Sequence, residues 1–256
     1  MQHAEILALA GLRVDGRREN DVRSVKFRYN VVPLADGSVY YEQGLNKVLV
    51  MVHGPQEGGG GGGGGGDGLS RSDREERGVL TVSVETAAFS GTERKTRRVG
   101  DRRTAETEAV LKQTLDEVVM LELYPKSEIN IVVHVLETDG SVVCSMLNAC
   151  CLALMVAGIS MSDMVVACSV GVIKDRICQD CTQVEQSSGG AYLPIAIKAR
   201  SEEVIMLQLA SRLSLEALEV ALRSAVEGCR KLRAIMEDGT KQYIRQKKND
   251  DESERG

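Results

Sequence analysis

The sequence predicts an α+β fold, because strand-like and helix-like apolar patterns come in partly separate runs along the chain. Segments in which apolar and polar residues alternate dominate the first part of the chain, up to residue 84. Two helical patterns with one strand between them follow, and further strands and a last helix complete the chain. Alternation is typical of strands, and apolar residues three and four apart are typical of helices. Their partial segregation is typical of α+β domains.

The N-terminal strands are predicted from alternation and from turn residues. The stretch 25–32 is rich in apolar and aromatic residues that alternate with polar ones, and Asp36-Gly37 is a turn signal. Segments 38–43 and 47–53 indicate the next two strands. Together these three strands predict a meander.

A run of nine glycines, Gly58 to Gly66, interrupts the predicted sheet. Glycine brings no side chain to bury and loses the most backbone entropy on ordering, so residues 57–70 are predicted to form a flexible loop. The run is not a phosphate-binding P-loop, because no Gly-Lys-Ser or Gly-Lys-Thr follows it. The next strand is predicted at 79–84.

The central elements are a helix, a strand and a second, buried helix. Asp101 opens the first helix and Pro125 ends it, and the strand covers 129–135. The second helix begins at Ser141 and is apolar on nearly all sides, which predicts that it is buried, and Gly158 suits its C-terminus.

The remaining elements are a buried strand at 165–173, a hairpin formed by 193–198 and 204–209, and a last helix that Ser214 caps. The sequence thus predicts one folded domain over residues 23–238. Residues 1–22 form an N-terminal segment, and the polar residues 239–256 are predicted to be a disordered tail.

Composition narrows the classes of function. The net charge is −5, so any nucleic-acid binding must come from local basic clusters. No apolar run approaches the ~18 residues of a membrane span, and the N-terminus has no basic region of a signal peptide, so no membrane partner is expected. The seven cysteines are odd in number and several lie in apolar runs, which is typical of a reducing compartment.

Cys178 and Cys181 form a CxxC pair, a spacing that is found in zinc sites. A zinc site needs four ligands, usually from two such pairs. The sequence has no second pair, and its three histidines are scattered. Two reduced thiols are therefore predicted, and neither a metal nor a cofactor is expected.

Several segments resemble the RNase PH family, and within it the exosome ring subunits whose archaeal counterpart is catalytic. In the first half these are RVDGRRENDVRSVKF, ADGSVYYEQGLNKVLVMVHGPQE and FSGTERKTRRVGDRR. In the second half they are DGSVVCSMLNACCLALMVAGISMSDMVVACSVG and DCTQVEQSSGGAYLPIAI, so the resemblance covers residues 11–236 apart from the glycine run. It implies an RNase PH fold of two βαβα-like halves, similar to domain 2 of ribosomal protein S5. It also implies a ring of six such domains around an RNA channel.

The resemblance implies a chemistry whose residues are partly absent here. In active members inorganic phosphate attacks the last phosphodiester and releases a nucleoside diphosphate, and a Gly-Ser-Arg at the start of the central helix holds the phosphate. An ungapped comparison places Ser141, Val142 and Val143 there, and a register shifted by one residue still lacks the arginine. A valine side chain cannot donate to phosphate, whereas arginine offers a fixed pair of donors. We therefore expect a degenerate phosphate site.

The catalytic acids of active relatives are two aspartates six residues apart. Asp180 matches the first, but Gln186 stands at the second position. A glutamine cannot exchange a proton, and the neighbouring Glu185 is displaced by one residue, which re-aims its side chain. Losing one general acid typically slows a reaction ~10²–10⁴-fold. We therefore expect no catalytic residue in this chain, with Asp180 as a vestigial or structural carboxylate.

Basic residues that face RNA in the family are retained. The predicted RNA-binding residues are Arg77, Arg94, Lys95, Arg97, Arg98, Arg102 and Arg103. Composition alone favours a solvated loop or a contact with an acidic neighbouring subunit. The resemblance implies RNA, because Arg102 and Arg103 match a family arginine pair and Arg77 matches the channel-constricting loop. With only Phe89 as a nearby aromatic residue, contacts to the phosphate backbone are expected rather than base readout.

The main hypothesis is a non-catalytic structural and RNA-channel subunit of the RNA exosome core, which supports 3′-to-5′ RNA processing and degradation, including rRNA maturation and mRNA turnover. The resemblance implies a heterohexameric ring with other RNase PH-like exosome subunits, S1-domain cap proteins, associated catalytic nucleases and single-stranded RNA as partners. It implies a location in the nucleus, the nucleolus and the cytoplasm.

Two alternatives stay open. One is an active phosphate-dependent 3′-to-5′ exoribonuclease that uses Asp180 and Glu185 as its acids and an arginine from a neighbour; Val143 and Gln186 argue against it. The other is a self-assembling hexamer that trims tRNA ends, as bacterial RNase PH does. The lost acid and the eukaryotic-type loop TERKTRRVGDRR argue against that second alternative.

Overall fold

Two sheets pack against one buried helix in the computed structural model. The structure describes residues 12–57, 77–91, 94, 101–173, 176–209 and 211–254, with side chains in the last range described as far as Asn249. The order of strands and helices confirms the α+β prediction. Among the helices in these ranges, none is both long enough and apolar enough to span a membrane.

The first sheet has five strands in the order β1-β2-β3-β5-β4. They are β1 (Val25–Tyr29), β2 (Gly37–Gln43), β3 (Asn46–Glu57), β4 (Val79–Thr86) and β5 (Ser127–Glu137). The first three form the predicted meander, and β3 also pairs antiparallel with β5. Strands β4 and β5 run parallel, which requires a crossover connection, and helix α1 (Arg102–Asp116) lies within that connection.

The second sheet has four antiparallel strands in the order β7-β6-β8-β9. They are β6 (Val165–Ile173), β7 (Arg176–Gln179), β8 (Ala191–Lys198) and β9 (Val204–Leu207). The other helices are α2 (Val142–Ala157), the short α3 (Gln183–Gln186) and α4 (Leu215–Glu254). Strand β6 begins and ends where the sequence predicts.

Helix α2 forms the centre of the core because it is apolar on nearly all sides. Residues 144–154 are all buried, and the helix packs against β2 and β3 of the first sheet and β6 and β8 of the second. A Cβ on Gly37 would lie 2.5 Å from the carbonyl oxygen of Ala153, so only glycine lets β2 approach this closely. Gly158 ends the helix in the left-handed conformation, as predicted.

Helix α1 is shorter than its apolar pattern predicts. The sequence places its end at Pro125, whereas the helix ends at Asp116. Val118 and Val119 are buried all the same, because a 3-10 turn at Leu121–Leu123 follows and keeps the chain against the core. Burial of apolar residues therefore continues past the point where the helical hydrogen bonds stop.

Helix α4 is longer than predicted. The segment from residue 239, expected to be a disordered tail, is helical as far as Glu254. Contacts with β1 account for the first turns of this segment. Tyr29 Oη lies 3.0 Å from Thr240 Oγ1, and the ring centroids of Tyr29 and Tyr243 are 4.3 Å apart. The prediction was based on the polarity of the segment, which does not reveal an aromatic partner on a distant strand.

Candidate functional site

Two loops that carry the predicted phosphate cradle and the predicted acids meet at the N-terminus of α2. One loop leads from β5 through Ser141 into α2, and the other leads from β7 through Asp180 to α3. The Ser141 hydroxyl donates to the carbonyl oxygen of Cys181 at 2.8 Å. The backbone N–H of Gln183 donates to the Asp139 carboxylate at 3.2 Å. The structure therefore brings together positions that are 40 residues apart in the chain.

The backbone at the start of α2 is fixed in a left-handed turn. Gly140 and Ser141 have φ angles of 69° and 56°. A Cβ on Gly140 would lie 2.4 Å from the carbonyl carbon of Thr182, so the two loops touch only because this residue is glycine. Val142 and Val143 follow, half-buried, in the first turn of the helix. Neither side chain has a donor for a phosphate oxygen.

Gln186 reaches the same helix N-terminus from the second loop. Its Oε1 accepts a hydrogen bond from the backbone N–H of Ser141 at 3.4 Å. Helix N-termini carry a partial positive charge that favours anions. Here the side chain at the second acid position is a neutral amide, so it lies beside the cradle without a charge or a titratable proton.

Asp180 is held in a buried ion pair and does not face solvent. The residue is 1% exposed. Arg23 donates to its carboxylate from Nη2 at 2.7 Å, from Nε at 3.0 Å and from the backbone N–H at 2.8 Å. Burial alone would raise the pKa of Asp180, but the Arg23 guanidinium outweighs burial and holds the pKa below its usual value. The carboxylate is therefore ionised at neutral pH and committed to Arg23.

Glu185 is paired in the same way. It is buried, and Arg13 donates to one of its oxygens from Nε at 2.6 Å and to the other from Nη2. Its Oε2 also accepts from the backbone N–H of Thr182 at 2.9 Å, which completes a capping box at the start of α3. Burial alone would raise the pKa of Glu185, but its hydrogen bonds from Arg13 and Thr182 hold it below the usual value.

Arg13 lies in the N-terminal segment and Arg23 directly follows it, and the sequence alone did not assign either arginine a role. Arg13 Nη2 and Arg17 Nη1 also donate to the carbonyl oxygen of Asp180, at 2.9 and 3.1 Å. Arg23 Nη1 donates to the carbonyl oxygen of Asp139 at 2.6 Å, so this one side chain ties both loops together. A buried arginine needs an acidic partner, but nothing in the sequence shows which of the 37 acids it meets. Residues 12–22, predicted as a separate segment, thus pack into the domain.

Two of the predicted RNA-binding arginines lie exposed at the N-terminus of α1. The Arg102 side chain is 91% exposed and pairs with Glu106 at 2.8 Å, one turn along the helix. Arg103 is also exposed, and its backbone N–H donates to Asp101, the N-cap residue. A surface pair of this kind contributes little stability, so Arg102 can exchange Glu106 for an RNA phosphate at small cost.

Arg77 lies at the opposite end of strand β4. It stands two residues before the strand and is half-buried, and its Nε has no hydrogen-bond partner within the described part of the chain. Helix α1 lies near the other end, since Glu108 accepts from the backbone N–H of Val84 at 2.8 Å. An eight-residue strand spans ~26 Å, so Arg77 does not join Arg102 and Arg103 in one cluster.

The other predicted cations stand between β4 and α1 in the sequence. Arg94 is exposed and lines a shallow depression beside Phe89. The predicted RNA-binding residues Lys95, Arg97 and Arg98 lie outside the described residues.

The CxxC pair is buried, with Cys178 in β7 and Cys181 in the loop that follows it. Cys178 and Cys181 are free thiols, and both side chains are fully buried. Burial raises the pKa of Cys181 to about 12, so the thiol stays protonated at neutral pH. Among the described residues, no group of three or more histidine, cysteine or acidic side chains is arranged to hold a metal ion.

Comparison with known proteins identifies the family of this chain. Residues 21–160 match the model of the 3′ exoribonuclease family, domain 1, and residues 163–228 match that of domain 2. The chain is 35% identical to the Homo sapiens protein "Exosome complex component RRP41" over 246 residues, 96% of this chain and 97% of that protein. It is 33% identical to the Saccharomyces cerevisiae protein "Exosome complex component SKI6" over 249 residues, 96% of this chain and 97% of that protein.

Solved structures share the fold. Rice Rrp46 superposes with a TM-score of 0.76 at 24% identity, covering 88% of this chain and 98% of the rice chain. A chain of the Archaeoglobus fulgidus exosome with RNA bound to the active site superposes with a TM-score of 0.74 at 22% identity, covering 88% and 92%. These likenesses confirm the predicted RNase PH fold. By its two matched domains and by relatives of similar length, the chain belongs to the 3′ exoribonuclease family of RNase PH proteins.

Proposed function

We propose that this chain is a non-catalytic structural and RNA-channel subunit of the RNA exosome core. Relatives from human, yeast and Pyrococcus horikoshii, at 33–35% identity over nearly the whole chain, are named as exosome components, which supports membership of that complex. In this role the chain occupies one position in a heterohexameric ring of RNase PH-like subunits beneath S1-domain cap proteins. Associated nucleases supply the catalysis, and the complex processes single-stranded RNA in the nucleus, the nucleolus and the cytoplasm.

The observation that carries the non-catalytic part is the pairing of both acids with buried arginines. Phosphorolysis needs a carboxyl group that can reach the leaving oxygen and exchange a proton with it. Asp180 is bound to Arg23 and Glu185 to Arg13, and both acids have lowered pKa values, so neither holds a proton to give at neutral pH. Freeing either acid would take from a buried arginine its closest acidic partner, which is destabilising.

The RNA-channel part of the proposal is supported by exposed positive charge near the C-terminal end of β4. Arg102 and Arg103 lie exposed at the start of α1, where helix geometry already favours an anion. They can track a phosphate backbone without any chemistry at the degenerate cradle. The chain can therefore bind RNA without catalysing phosphorolysis.

A purification followed by a phosphorolysis assay tests both parts. The tagged chain is isolated natively, and mass spectrometry counts its copies and identifies its partners. We expect one copy per complex beside different RNase PH-like and S1-domain chains. The assembled complex, given RNA and inorganic phosphate, should release no nucleoside diphosphate.

Two variants make the assay decisive. Arg102→Glu with Arg103→Glu changes only exposed side chains, and Asp180→Asn removes the acid that an active enzyme would need. Nucleoside diphosphate release by the wild-type complex that disappears in both variants, with assembly intact, would identify an active phosphorolytic enzyme instead. Several copies of this chain with no related partners would exclude the exosome assignment.

A further inference from the structure

One aromatic side chain of the protein stands apart from all the others by its exposure. The chain has two phenylalanines, six tyrosines and no tryptophan. Seven of these eight side chains are buried or half-buried, whereas Phe89 is 73% exposed. Burying a phenylalanine ring away from water lowers the free energy, so a ring this exposed within the described part of the chain is available for another molecule.

The turn that carries Phe89 is rigid. Residue 90 at its far side is buried, and its carbonyl oxygen accepts from both the backbone N–H and the hydroxyl of Thr138, at 2.9 and 3.1 Å. On the near side, the N–H of Ala87 donates to the carbonyl oxygen of Val135 at 2.9 Å. Hydrogen bonds to the end of β5 therefore hold the turn on both sides, so the backbone that presents the ring has little entropy left to lose on binding.

One arginine lies beside the exposed ring, and two more are exposed near the same end of β4. Phe89 and Arg94 line the same shallow depression, which has a volume of about 330 Å³. Arg102 and Arg103 lie exposed near the same end of β4, at the start of α1. The turn also adjoins Thr138, which leads directly to the loop at the N-terminus of α2. An aromatic ring beside several cations matches the combination that binds single-stranded nucleic acid, where bases stack on rings and cations follow the backbone.

We infer that Phe89 is a stacking platform for one base of single-stranded RNA, with Arg94 beside it, while Arg102 and Arg103 contact the backbone. The inference rests on the proposed RNA-channel function and deepens it, because it adds a contact to a base where the sequence predicts contacts to phosphate alone. Every base has a flat π face, so the contact tolerates any sequence. The charge around the ring favours RNA over a neighbouring protein subunit as the occupant.

The test measures RNA binding by the complete, natively purified complex. The probe is a fluorescent single-stranded RNA oligonucleotide, and the variants are Phe89→Leu, Phe89→Tyr and, as a control at another exposed apolar position, Leu34→Ala. Phe89→Leu should weaken binding roughly tenfold, within the range that base–aromatic stacking contributes. Phe89→Tyr and Leu34→Ala should bind as the wild type does. Because stacking is not ionic, Phe89→Leu should leave the salt dependence of binding unchanged.

A set of RNAs in which each nucleotide in turn lacks its base identifies the stacked position. One of these RNAs should bind the wild type more weakly, and Phe89→Leu should weaken that RNA no further. Unchanged affinity of Phe89→Leu for intact RNA overturns the inference, and so does failure of Phe89→Leu to enter the complex, because Phe89 would then lie in a subunit interface. The RNA-channel part of the proposed function is tested separately, because it fails if Arg102→Glu with Arg103→Glu leaves RNA binding unchanged.

Discussion

Replacing Arg23 with methionine should destabilise the fold severely, because it strands a buried carboxylate. The side chains of Arg23 and Asp180 are 4% and 1% exposed and meet at 2.7 Å. Methionine keeps most of the apolar length of arginine but removes the charge and the hydrogen bonds to Asp180 and Asp139. Removing one partner of a buried pair costs ~3–5 kcal/mol. Since domains are stable by only ~5–15 kcal/mol, this single change should remove roughly a fifth or more of the free energy of unfolding.

Urea unfolding of the full chain, followed by circular dichroism, measures the loss. The double-mutant cycle with Asp180→Asn isolates the pair, and the double variant should lose less than the sum of the single losses because the stranded charge is gone. Arg223→Met is the matched control, since Arg223 forms a 2.6 Å pair with Glu219 at the surface, where its side chain is 78% exposed. That control should change stability by less than ~0.5 kcal/mol.

The free energy of unfolding that Arg23→Met loses should also depend on pH in a defined direction. In the wild type Arg23 lowers the pKa of Asp180, so the pair stabilises the fold above the unfolded pKa of ~3.9 and is lost only as the pH falls through the lower folded value. Without the Arg23 side chain, burial raises the pKa of Asp180 against only the hydrogen bonds from Gln43 and the backbone N–H at position 23 and the Arg17 guanidinium 3.9 Å away, so the stranded carboxyl group takes up a proton as the pH falls. The difference between variant and wild type should therefore be largest near neutral pH and should narrow toward pH ~4.5. A loss below ~1 kcal/mol, or one that is equal at pH 8 and pH 4.5, would refute the buried-pair account.

Three further changes test other parts of the site and fold. Arg102→Gln with Arg103→Gln should weaken RNA binding by the assembled complex and lower the slope of log affinity against log salt by ~0.7 for each phosphate that the variant no longer neutralises. Gln186→Asp alone should release no nucleoside diphosphate from RNA and phosphate, because the first turn of α2 still lacks an arginine. Gly239→Ala would place a Cβ 2.0 Å from Phe27 Cζ, and the overpacking should cost ~1–3 kcal/mol in urea unfolding.

For these changes, the following controls and outcomes would support or contradict the predictions. For RNA binding the control is Arg223→Gln, and an unchanged salt slope in the double variant would mean that the α1 arginines do not touch phosphate. Nucleoside diphosphate from Gln186→Asp would show that a missing acid alone explains inactivity. Asp238→Ala, at a 74% exposed neighbouring side chain, is the control for the helix contact. If Gly239→Ala is as stable as that control, α4 does not dock on β1.

The elements that the sequence predicts well are those whose apolar pattern is long and regular. Helix α2 and strand β6 are buried on all sides and differ from the prediction by at most one residue at each end. Strand β7 and helix α3 were missed, because each has four residues and neither is long enough to show a period. The end of α4 was missed because its partners are aromatic residues on β1, more than 200 positions away in the chain.

In the candidate site, too, the sequence predicts features that are local in the chain and does not predict contacts between distant residues. The sequence and its family resemblance point to Ser141, Asp180 and Gln186, and the structure brings the loops that carry them together. The sequence and the resemblance do not show that Arg13 and Arg23 neutralise the acids, because the ion pairs join residues more than 150 positions apart. Only the folded chain decides which acid a buried arginine meets.

The two acid positions differ in how strongly the fold depends on them. Gln186 is exposed and makes one long hydrogen bond, from the backbone N–H of Ser141 at 3.4 Å, and a substitution at an exposed position usually changes stability by less than ~0.5 kcal/mol. In the proposed non-catalytic role, this residue could therefore change with little effect on stability. Asp180 is different, because replacing it takes from buried Arg23 its closest counter-charge and leaves only the partly exposed Asp139 carboxylate, 3.5 Å away. The stability of the fold is therefore reason enough for an aspartate at position 180, and its presence by itself says nothing about catalysis.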